Sequence, residues 1–330
     1  MNWLITGGCG FLGTSLITSL LSENNKHKIR VLDNLKTGTL VDLANVCDFK
    51  KINASNASFI HDYVEFVEGD ILDETLAILV AKDSDVIVHF AANTGVGPSV
   101  DDPRKDMLVN IVGTFNYLEA ARLNHIKRFV FASSGAPAGE IEPPIHEEIA
   151  PHPVSPYGAS KLAGEGYNSA YNRTFGIETV VLRFGNVYGP GSLHKNSVVA
   201  KFIRQALLGE MLEIYGDGGQ TRDFIYIDDL IDAVLSAAIK PDIGGQLFQI
   251  ASSRETTVSE IADTIVKVLL AKGVGDVSIV NGDTRKGDVL RNFSDTSKAR
   301  KMLGWKAQTG LHEGLEATVD YFMNLKKEEL

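Results

Sequence analysis

A tyrosine and a lysine four residues apart carry the most pointed chemistry in this chain. In Ser155-Pro156-Tyr157-Gly158-Ala159-Ser160-Lys161 the two side chains fall on one face of a helix, where they are neighbours. A phenol titrates near about pH 10 and is a poor base, but an adjacent ammonium and a second cation beside the ring together favour the phenolate and bring it toward working pH. Taken alone, the spacing is equally that of a surface helix start with an incidental Tyr–Lys pair. Upstream, Phe131-Ala132-Ser133-Ser134-Gly135 ends a strand-like run with hydroxyls, either of which serves as a proton partner for Tyr157 or as a turn cap.

A second constellation opens the chain. Thr6-Gly7-Gly8-Cys9-Gly10-Phe11-Leu12-Gly13 spaces three glycines between a strand and a helix. Such a turn lets the backbone approach a pyrophosphate, which the helix N-terminus then stabilises. Glycines at strand-to-helix turns also have purely steric reasons, so the context matters. Twenty residues beyond Gly13, Val31-Leu32-Asp33 ends a second strand in a carboxylate that accepts both adenosine ribose hydroxyls and repels a 2′-phosphate, which selects NAD over NADP. Asp70 is placed to reach an adenine, and capping a turn is an equally good reading of it. Ala91 and Ala92 are small enough for close approach, although small residues often follow buried strands. Phe11 and Leu12 within the turn, and Asn34, Gly38 and Ile71 after the next strands, complete the candidate cofactor contacts. A nicotinamide cation beside Tyr157 would further favour the phenolate.

Strands and helices alternate through the first half, which predicts a parallel, doubly wound Rossmann-type sheet. Strands are expected over Trp3–Thr6, Ile29–Leu32, Val64–Val67, Val86–Phe90, Phe129–Ala132 and Thr179–Arg183. Helices are expected near Phe11–Leu21, Glu74–Val80, Lys105–Leu123 and Tyr157–Phe175. After Phe184 the pattern loosens into Gly/Pro turns. There follow helix Val198–Leu208, strand Leu212–Tyr215, helices near Asp228–Ile239 and Val258–Leu270, and helical stretches around Asp295–Leu303 and Leu311–Leu325. The expected organisation is a cofactor-binding domain over 1–184 and, over 185–330, a smaller mixed α/β substrate lobe with some segments returning to the first domain.

Composition bounds the rest. The 330 residues carry 32 basic and 42 acidic side chains, a formal charge of −10, which gives no basic footprint for nucleic acid or an anionic membrane. Any bound anion must be held by local groups. Two cysteines and eight scattered histidines predict neither a disulfide framework nor a metal site. No signal segment and no apolar run near the roughly 20 residues needed to cross a bilayer are found, so the expectation is a cytoplasmic protein.

Together these motifs resemble the extended short-chain dehydrogenase/reductase family, and within it the NAD-dependent nucleotide-sugar epimerases and dehydratases, most of all those acting as UDP-sugar 4-epimerases. The resemblance runs from Thr6–Gly13 through Tyr157–Lys161 into the carboxyl lobe. It implies Tyr157 as catalytic base, Lys161 as the residue that binds the nicotinamide ribose and lowers the tyrosine's pKa, and Ser134 as catalytic hydroxyl. Asn110, in Asn110-Ile111-Val112-Gly113-Thr114, is implied as a cofactor contact. Asn186, in Arg183-Phe184-Gly185-Asn186, is implied on the substrate phosphate, and Tyr215 is implied to stack on the base, although an aromatic at a strand end is often core. Arg222 and Arg285 align with two arginines that grip the pyrophosphate, directional charge-assisted contacts that an acidic protein needs. Asp288 is implied near a ribose. The family commonly dimerises through helices equivalent to Lys105–Leu123 and Tyr157–Phe175, for which Phe115, Leu118 and Ala170 offer a face or serve as core. A role in galactose or cell-surface polysaccharide metabolism is likewise implied.

The chain also departs from the family. Pro137-Ala138-Gly139 stands where Val-Tyr-Gly is usual, which removes an aromatic and leaves more space. Gly135 and Ala136 follow Ser134 where dehydratases and decarboxylases place an acid, which disfavours elimination. Loop Asn93–Ser99 lacks a basic residue that some relatives have, and Asn292 replaces a large tyrosine that restricts the sugar. The implied reaction is inversion at C4 of a UDP-hexose through a 4-keto sugar, with NAD unchanged overall. Glucose, N-acetylglucosamine and glucuronate forms all fit. The alternatives are net sugar-nucleotide redox chemistry and a non-catalytic sensor of NAD or sugar nucleotide.

Overall fold

The computed structural model describes residues 1–23, 27–56, 58–59, 62–275, 277–283 and 289–329. Its strands are β1 (Asn2–Thr6), β2 (Lys28–Asp33), β3 (Phe49–Lys51), β4 (Val64–Glu68), β5 (Val86–His89), β6 (Arg128–Ser134), β7 (Glu178–Phe184), β8 (Asn186–Tyr188), β9 (Leu212–Tyr215), β10 (Thr221–Arg222), β11 (Phe224–Tyr226), β12 (Gln246–Ile250), β13 (Thr256–Thr257) and β14 (Ile279–Gly282). The helices are α1 (Phe11–Ser22), α2 (Leu40–Ala44), α3 (Glu74–Ala81), α4 (Val96–Asp101), α5 (Pro103–Met107), α6 (Gly113–Leu123), α7 (Pro156–Phe175), α8 (Val198–Leu208), α9 (Ile227–Ile239), α10 (Val258–Ala271), α11 (Ser297–Leu303) and α12 (Leu311–Met323).

Eight strands form one parallel sheet in the order β12-β7-β6-β5-β1-β2-β4-β3. Its strands are apolar on both faces, as a sheet covered on both sides requires. Trp3, Ile5, Val86, Val88, Val130 and Ala132 point toward α1, α9 and α11. Their neighbours Leu4, Ile87, Phe129 and Phe131 point toward α3, α6 and α7. Chain order reverses between β1 and β5, so the crevice beyond their carboxyl ends is where such a sheet binds ligands. A third core, built from α8, α10 and α12 with Tyr188, Leu212 and Phe224, makes the second lobe. That half of the chain is not separate, since β12 extends the main sheet beside β7 and α9 covers one sheet face.

The six expected strands of the first half form with ends shifted by a residue or two, and the expected Leu212–Tyr215 forms as β9, while β3, β8, β10, β11, β12, β13, β14, α2 and α4 were not foreseen. The helix expected over Lys105–Leu123 is interrupted: a π-helical turn, Leu108–Val112, separates α5 from α6. Within it Asn110 is 1 % exposed, and the Thr114 hydroxyl donates to the Asn110 carbonyl at 2.7 Å. Such turns are rare and concentrate at functional sites.

Candidate active site

Ser155 and Pro156 start the helix that bears the reactive pair. Ser155 Oγ accepts from the Gly158 amide at 3.1 Å, and Pro156 occupies the first turn, where its missing N–H costs nothing. Tyr157 thereby sits at the start of α7. Two glycines press this helix against β6 and the turn after it: a Cβ on Gly164 would stand 2.5 Å from the Phe131 ring, and one on Gly158 2.6 Å from the Ala136 carbonyl oxygen.

Alternation along β6 separates the two serines. Ser133 points into the core, where its hydroxyl donates to Glu165 Oε1 at 2.6 Å. Ser134 points to the crevice beside Tyr157, where its hydroxyl favours the phenolate, and its Oγ accepts from the Ala136 amide at 3.2 Å. Lys161 is 3 % exposed and donates to the Ala132 carbonyl at 2.9 Å. Burial pulls its ammonium down to about 8, against the opposing pull of Asp106 and then Glu165.

The expected lowering of Tyr157 toward neutral pH does not occur within the chain alone. Burial pushes the phenol up to about 12, the Ser134 hydrogen bond opposes this, and Asp106 adds to it. Desolvation of the phenolate outweighs whatever Lys161 contributes, so the tyrosine needs a further positive charge to act as a base. Beneath the pair, burial and Lys161 hold His89 neutral at about 3.

The glycine-rich turn divides into packing and cradle. Gly7 has φ +71° and a Cβ there would meet the Ala91 amide nitrogen at 2.8 Å. A Cβ on Gly13 would meet Gly8 Cα at 2.4 Å, and one on Gly38 the Cys9 carbonyl oxygen at 2.1 Å. Those three are fixed by close backbone approach. Gly10 differs: the nearest atom to its Cβ would be the Gly7 carbonyl oxygen at 3.4 Å. It is the N-cap of α1 and no side chain caps that helix, so Phe11 and Leu12 begin the helix with amide groups available to an anion. Asp33 is 8 % exposed; its carboxylate accepts from the Cys9 amide at 3.0 Å and the Leu35 amide at 2.9 Å. These residues fit a dinucleotide, with phosphates at Gly10–Gly13 and a ribose diol at Asp33.

Several expected contacts take other roles. Asp70 accepts from the Leu72 amide at 3.1 Å, from Asn34 Nδ2 at 2.9 Å and from Lys36 Nζ at 3.0 Å; the turn-capping reading is the one realised, and Asn34 is occupied in it. The Ile71 side chain is core, 4 % exposed, against the face of Gly113, and its carbonyl receives Asn116 Nδ2 at 3.0 Å. The Asn110 side chain is held within the wall of the crevice: its Oδ1 accepts from the Asn93 amide at 2.8 Å, and its Nδ2 lies 3.0 Å from each of Asn93 O, Asp106 Oδ1 and Ser160 Oγ. Ala91 and Ala92 line the crevice, half-buried.

In the second lobe Asn186 is exposed, its amide held by the Asp223 carbonyl at 2.7 Å. Tyr215 ends β9 beside Lys201, whose ammonium lies 4.9 Å from the ring centre. Arg222 donates to the Thr221 and Val289 carbonyls, each at 2.7 Å, so part of its guanidinium orders the segment that follows 284–288. Arg285 and Asp288 lie outside the described residues. The Asn292 amide lies against Gly135, with Oδ1 3.7 Å from where a Cβ would stand, which sets it next to Ser134.

Four supports escaped the sequence reading. Arg183 grips Glu165 through two bonds of 2.8 and 2.6 Å, a buried bidentate pair joining α7 to β7. Asp223, 2 % exposed, accepts from the amides of Ser252, Ser253 and Ser294 and from the Ser252 hydroxyl at 2.6–3.1 Å, gathering three segments of the second lobe. Lys195 donates to the Val187 carbonyl at 3.3 Å and lies 5.3 Å from the Phe11 ring centre, so the second lobe touches the start of α1. Asp106 is the fourth.

The family model of the NAD-dependent epimerase/dehydratase family matches residues 3–251. A UDP-glucose 4-epimerase of Mycolicibacterium smegmatis is 37% identical over 329 residues, covering 98% of this chain and 99% of its own. The crystal structure of a Thermotoga maritima UDP-glucose 4-epimerase with UDP-glucose superposes with a TM-score of 0.86 at 33% identity, covering 98% and 99% of the two chains. A Bacillus cereus UDP-glucuronic acid 4-epimerase, solved with UDP-glucuronic acid and NAD, gives 0.85 at 31% identity, covering 99% and 100%.

Proposed function

Because the chain belongs to the NAD-dependent epimerase/dehydratase family, we propose that it is an NAD-dependent nucleotide-sugar epimerase that inverts C4 of a UDP-hexose through a transient 4-keto sugar. The observation that carries this reading is the convergence of Ser134, at the carboxyl end of β6, with Tyr157 and, one helical turn further on, the buried Lys161, whose ammonium is anchored on the Ala132 carbonyl at 2.9 Å. When bound, NAD supplies the acceptor for the C4 hydride, its return, and a positive charge beside Tyr157. Tyr157 takes the C4 hydroxyl proton and gives it back, and Ser134 shares the hydrogen bond to the reacting oxygen. The charged Lys161 favours the phenolate and is placed for a ribose hydroxyl. Gly7, Gly10, Phe11, Leu12, Gly13 and Asp33 hold the dinucleotide. Asn186, Arg222 and, beyond the described residues, Arg285 and Asp288 hold the sugar nucleotide remote from C4, and Tyr215 faces the base. A grip on the diphosphate leaves the sugar free to turn and present its other face. Gly135 and Ala136 place no acid after Ser134, which favours epimerisation over elimination.

Asn292 beside Gly135 lines the sugar end with a polar amide, which suits a substituted hexose as well as glucose. The protein acts as a homodimer through α5–α6 and α7: Met107, Phe115, Tyr167 and Phe175 are 37–50 % exposed, and Ala170 lies among them, whereas Leu118, offered by the sequence as part of this face, is wholly buried core. Among the described residues no helix is long and apolar enough to cross a membrane. Both cysteines are free thiols, in keeping with a reducing cytoplasm.

The test is proton NMR of the purified protein, without added cofactor, with UDP-glucose, UDP-N-acetylglucosamine and UDP-glucuronate in turn. Appearance of a C4 epimer is expected and ranks the sugars. If all three stay unchanged after NAD is supplied, the reading fails.

A further inference from the structure

Asp106 is wholly buried, on α5 facing α7. Its Oδ1 accepts from Asn110 Nδ2 at 3.0 Å and from Asn93 Nδ2 at 3.2 Å. Its Oδ2 accepts no hydrogen bond from any described residue. A buried carboxylate with an unused oxygen is costly unless a cation balances it. The amides do not; they tie Asp106 through Asn110 to Ser160, whose hydroxyl in turn donates to the Tyr157 carbonyl at 3.1 Å. The carboxylate is thus strung directly to the turn of α7 that carries the reactive pair.

The surrounding charges single it out. Around Lys161 stand Asp106 from α5, Glu165 from α7 and His89 from β5, the last neutral. Glu165 is already matched by the two bonds from Arg183 and one from Ser133. Between β5 and α5, residues 93–99 bear no charged side chain, Asp101 and Asp102 are exposed, and Arg104 and Lys105 on α5 are exposed. Asp106 is left as the carboxylate with no arginine partner.

We propose that Asp106 is the buried counter-charge of the Tyr157–Lys161 pair, a positioning residue that keeps the Lys161 ammonium charged in a dry site and sets the pH window of the reaction. It touches neither the sugar nor the reacting atoms. The inference rests on the epimerase reading for its kinetic test and stands apart from it for its spectroscopic one.

The sign is fixed by electrostatics. A negative charge holds protons on both neighbours: it favours the ammonium of Lys161 and disfavours the phenolate of Tyr157. Asp106→Asn removes that charge and keeps the shape, so both groups lose their protons more easily. The acid and the alkaline limb of the pH–rate profile then slide together to lower pH by about one pH unit, the lower end of what a nearby charge does. Asp106→Glu restores the charge and returns the limbs toward the parent. A merely structural support would lower kcat and leave both limbs in place, and that result overturns the proposal. The substrate-independent readout is the tyrosinate absorbance of the holoenzyme titrated with base, taken as a difference against Tyr157→Phe. In Asp106→Asn the Tyr157 signal must appear at lower pH than in the parent; an unmoved or later signal overturns the proposal. Should Asp106→Asn not fold by circular dichroism, Asp106→Ser must give the same slide. A parent enzyme that turns over no UDP-sugar refutes the epimerase reading, and the tyrosinate titration still decides the role of Asp106.

Discussion

Gly10 and Gly13 lie in one turn, three residues apart, yet alanine should do opposite things at the two. At Gly10 the backbone has φ −79° and ψ 173°, open to any residue, and the new methyl would find nothing nearer than 3.4 Å. Replacing an N-cap glycine by alanine costs about 0.5–1 kcal/mol, and the stiffer unfolded chain returns about 0.4–1 kcal/mol. Gly10→Ala should therefore melt within a few degrees of the parent. The methyl would stand at the uncapped end of α1, where a diphosphate has to approach the backbone. Losing one charge-assisted hydrogen bond of about 1.5–3 kcal/mol weakens NAD roughly ten- to hundredfold. At Gly13 the methyl would face three backbone atoms at 2.4, 2.5 and 2.7 Å. Backbone cannot swing aside as a side chain does, so the cost falls at or above the upper end of about 1–3 kcal/mol for overpacking. Thermal unfolding followed by circular dichroism and calorimetric titration of the cofactor-stripped protein with NAD separate the two effects. A parent-like dissociation constant for Gly10→Ala removes the diphosphate from this helix end, and a parent-like melting temperature for Gly13→Ala removes the close packing of α1 on the turn.

Tyr157→Phe should lower turnover by about 10²–10⁴-fold, the usual range for removing a general acid–base group, while calorimetry finds NAD bound as before; turnover near that of the parent would refute its role. Phe115→Glu places a charge in the exposed apolar face of α6, and sedimentation velocity should then find a monomer where the parent sediments as a dimer. A monomeric parent refutes the dimer.

The parts of the site legible in the sequence are those whose geometry is local. A glycine spacing at a strand end, a carboxylate at the next strand end and a Tyr–Lys pair one helical turn apart need no knowledge of the rest of the chain. The supports were invisible for the converse reason: Glu165 and Arg183 are 18 residues apart, and Asp223 collects partners up to 71 residues away. Asp106 reads in sequence as one more acid in a charged helix start, and only the fold turns it inward. For Asn110 and Ile71 motif position gives nearness to a cofactor without saying that the side chains also build the wall of the crevice, Asn110 through Asn93, Asp106 and Ser160 and Ile71 against Gly113. The π-helical turn has no periodicity signal of its own, and β12 joins the sheet from beyond the point where the strand–helix alternation had loosened. For Tyr157 the sequence names the two cations that favour a phenolate, and the fold adds the opposing effect that spacing does not show, the burial of the phenol.

That balance explains why so many buried charges converge on one helix. A base that stays protonated in the resting protein must be switched on by charge arriving beside it, and this requires a dry site, since water would screen the very field that acts. A dry site in turn pulls Lys161 toward losing its proton, so an ammonium near about 8 has little margin at neutral pH. Carboxylates buried on either side restore the margin, and each must itself be fixed: Glu165 by Arg183 and Ser133, Asp106 by Asn93 and Asn110. The Glu165 bonds fasten α7 to β6 and β7, and Asn110, which holds Asp106, also reaches Ser160 on α7, so charge balance and the alignment of Ser134 with Tyr157 are one structural task. Where reacting atoms must meet within a fraction of an ångström, a substitution in these supports should change turnover before it changes the affinity for either ligand.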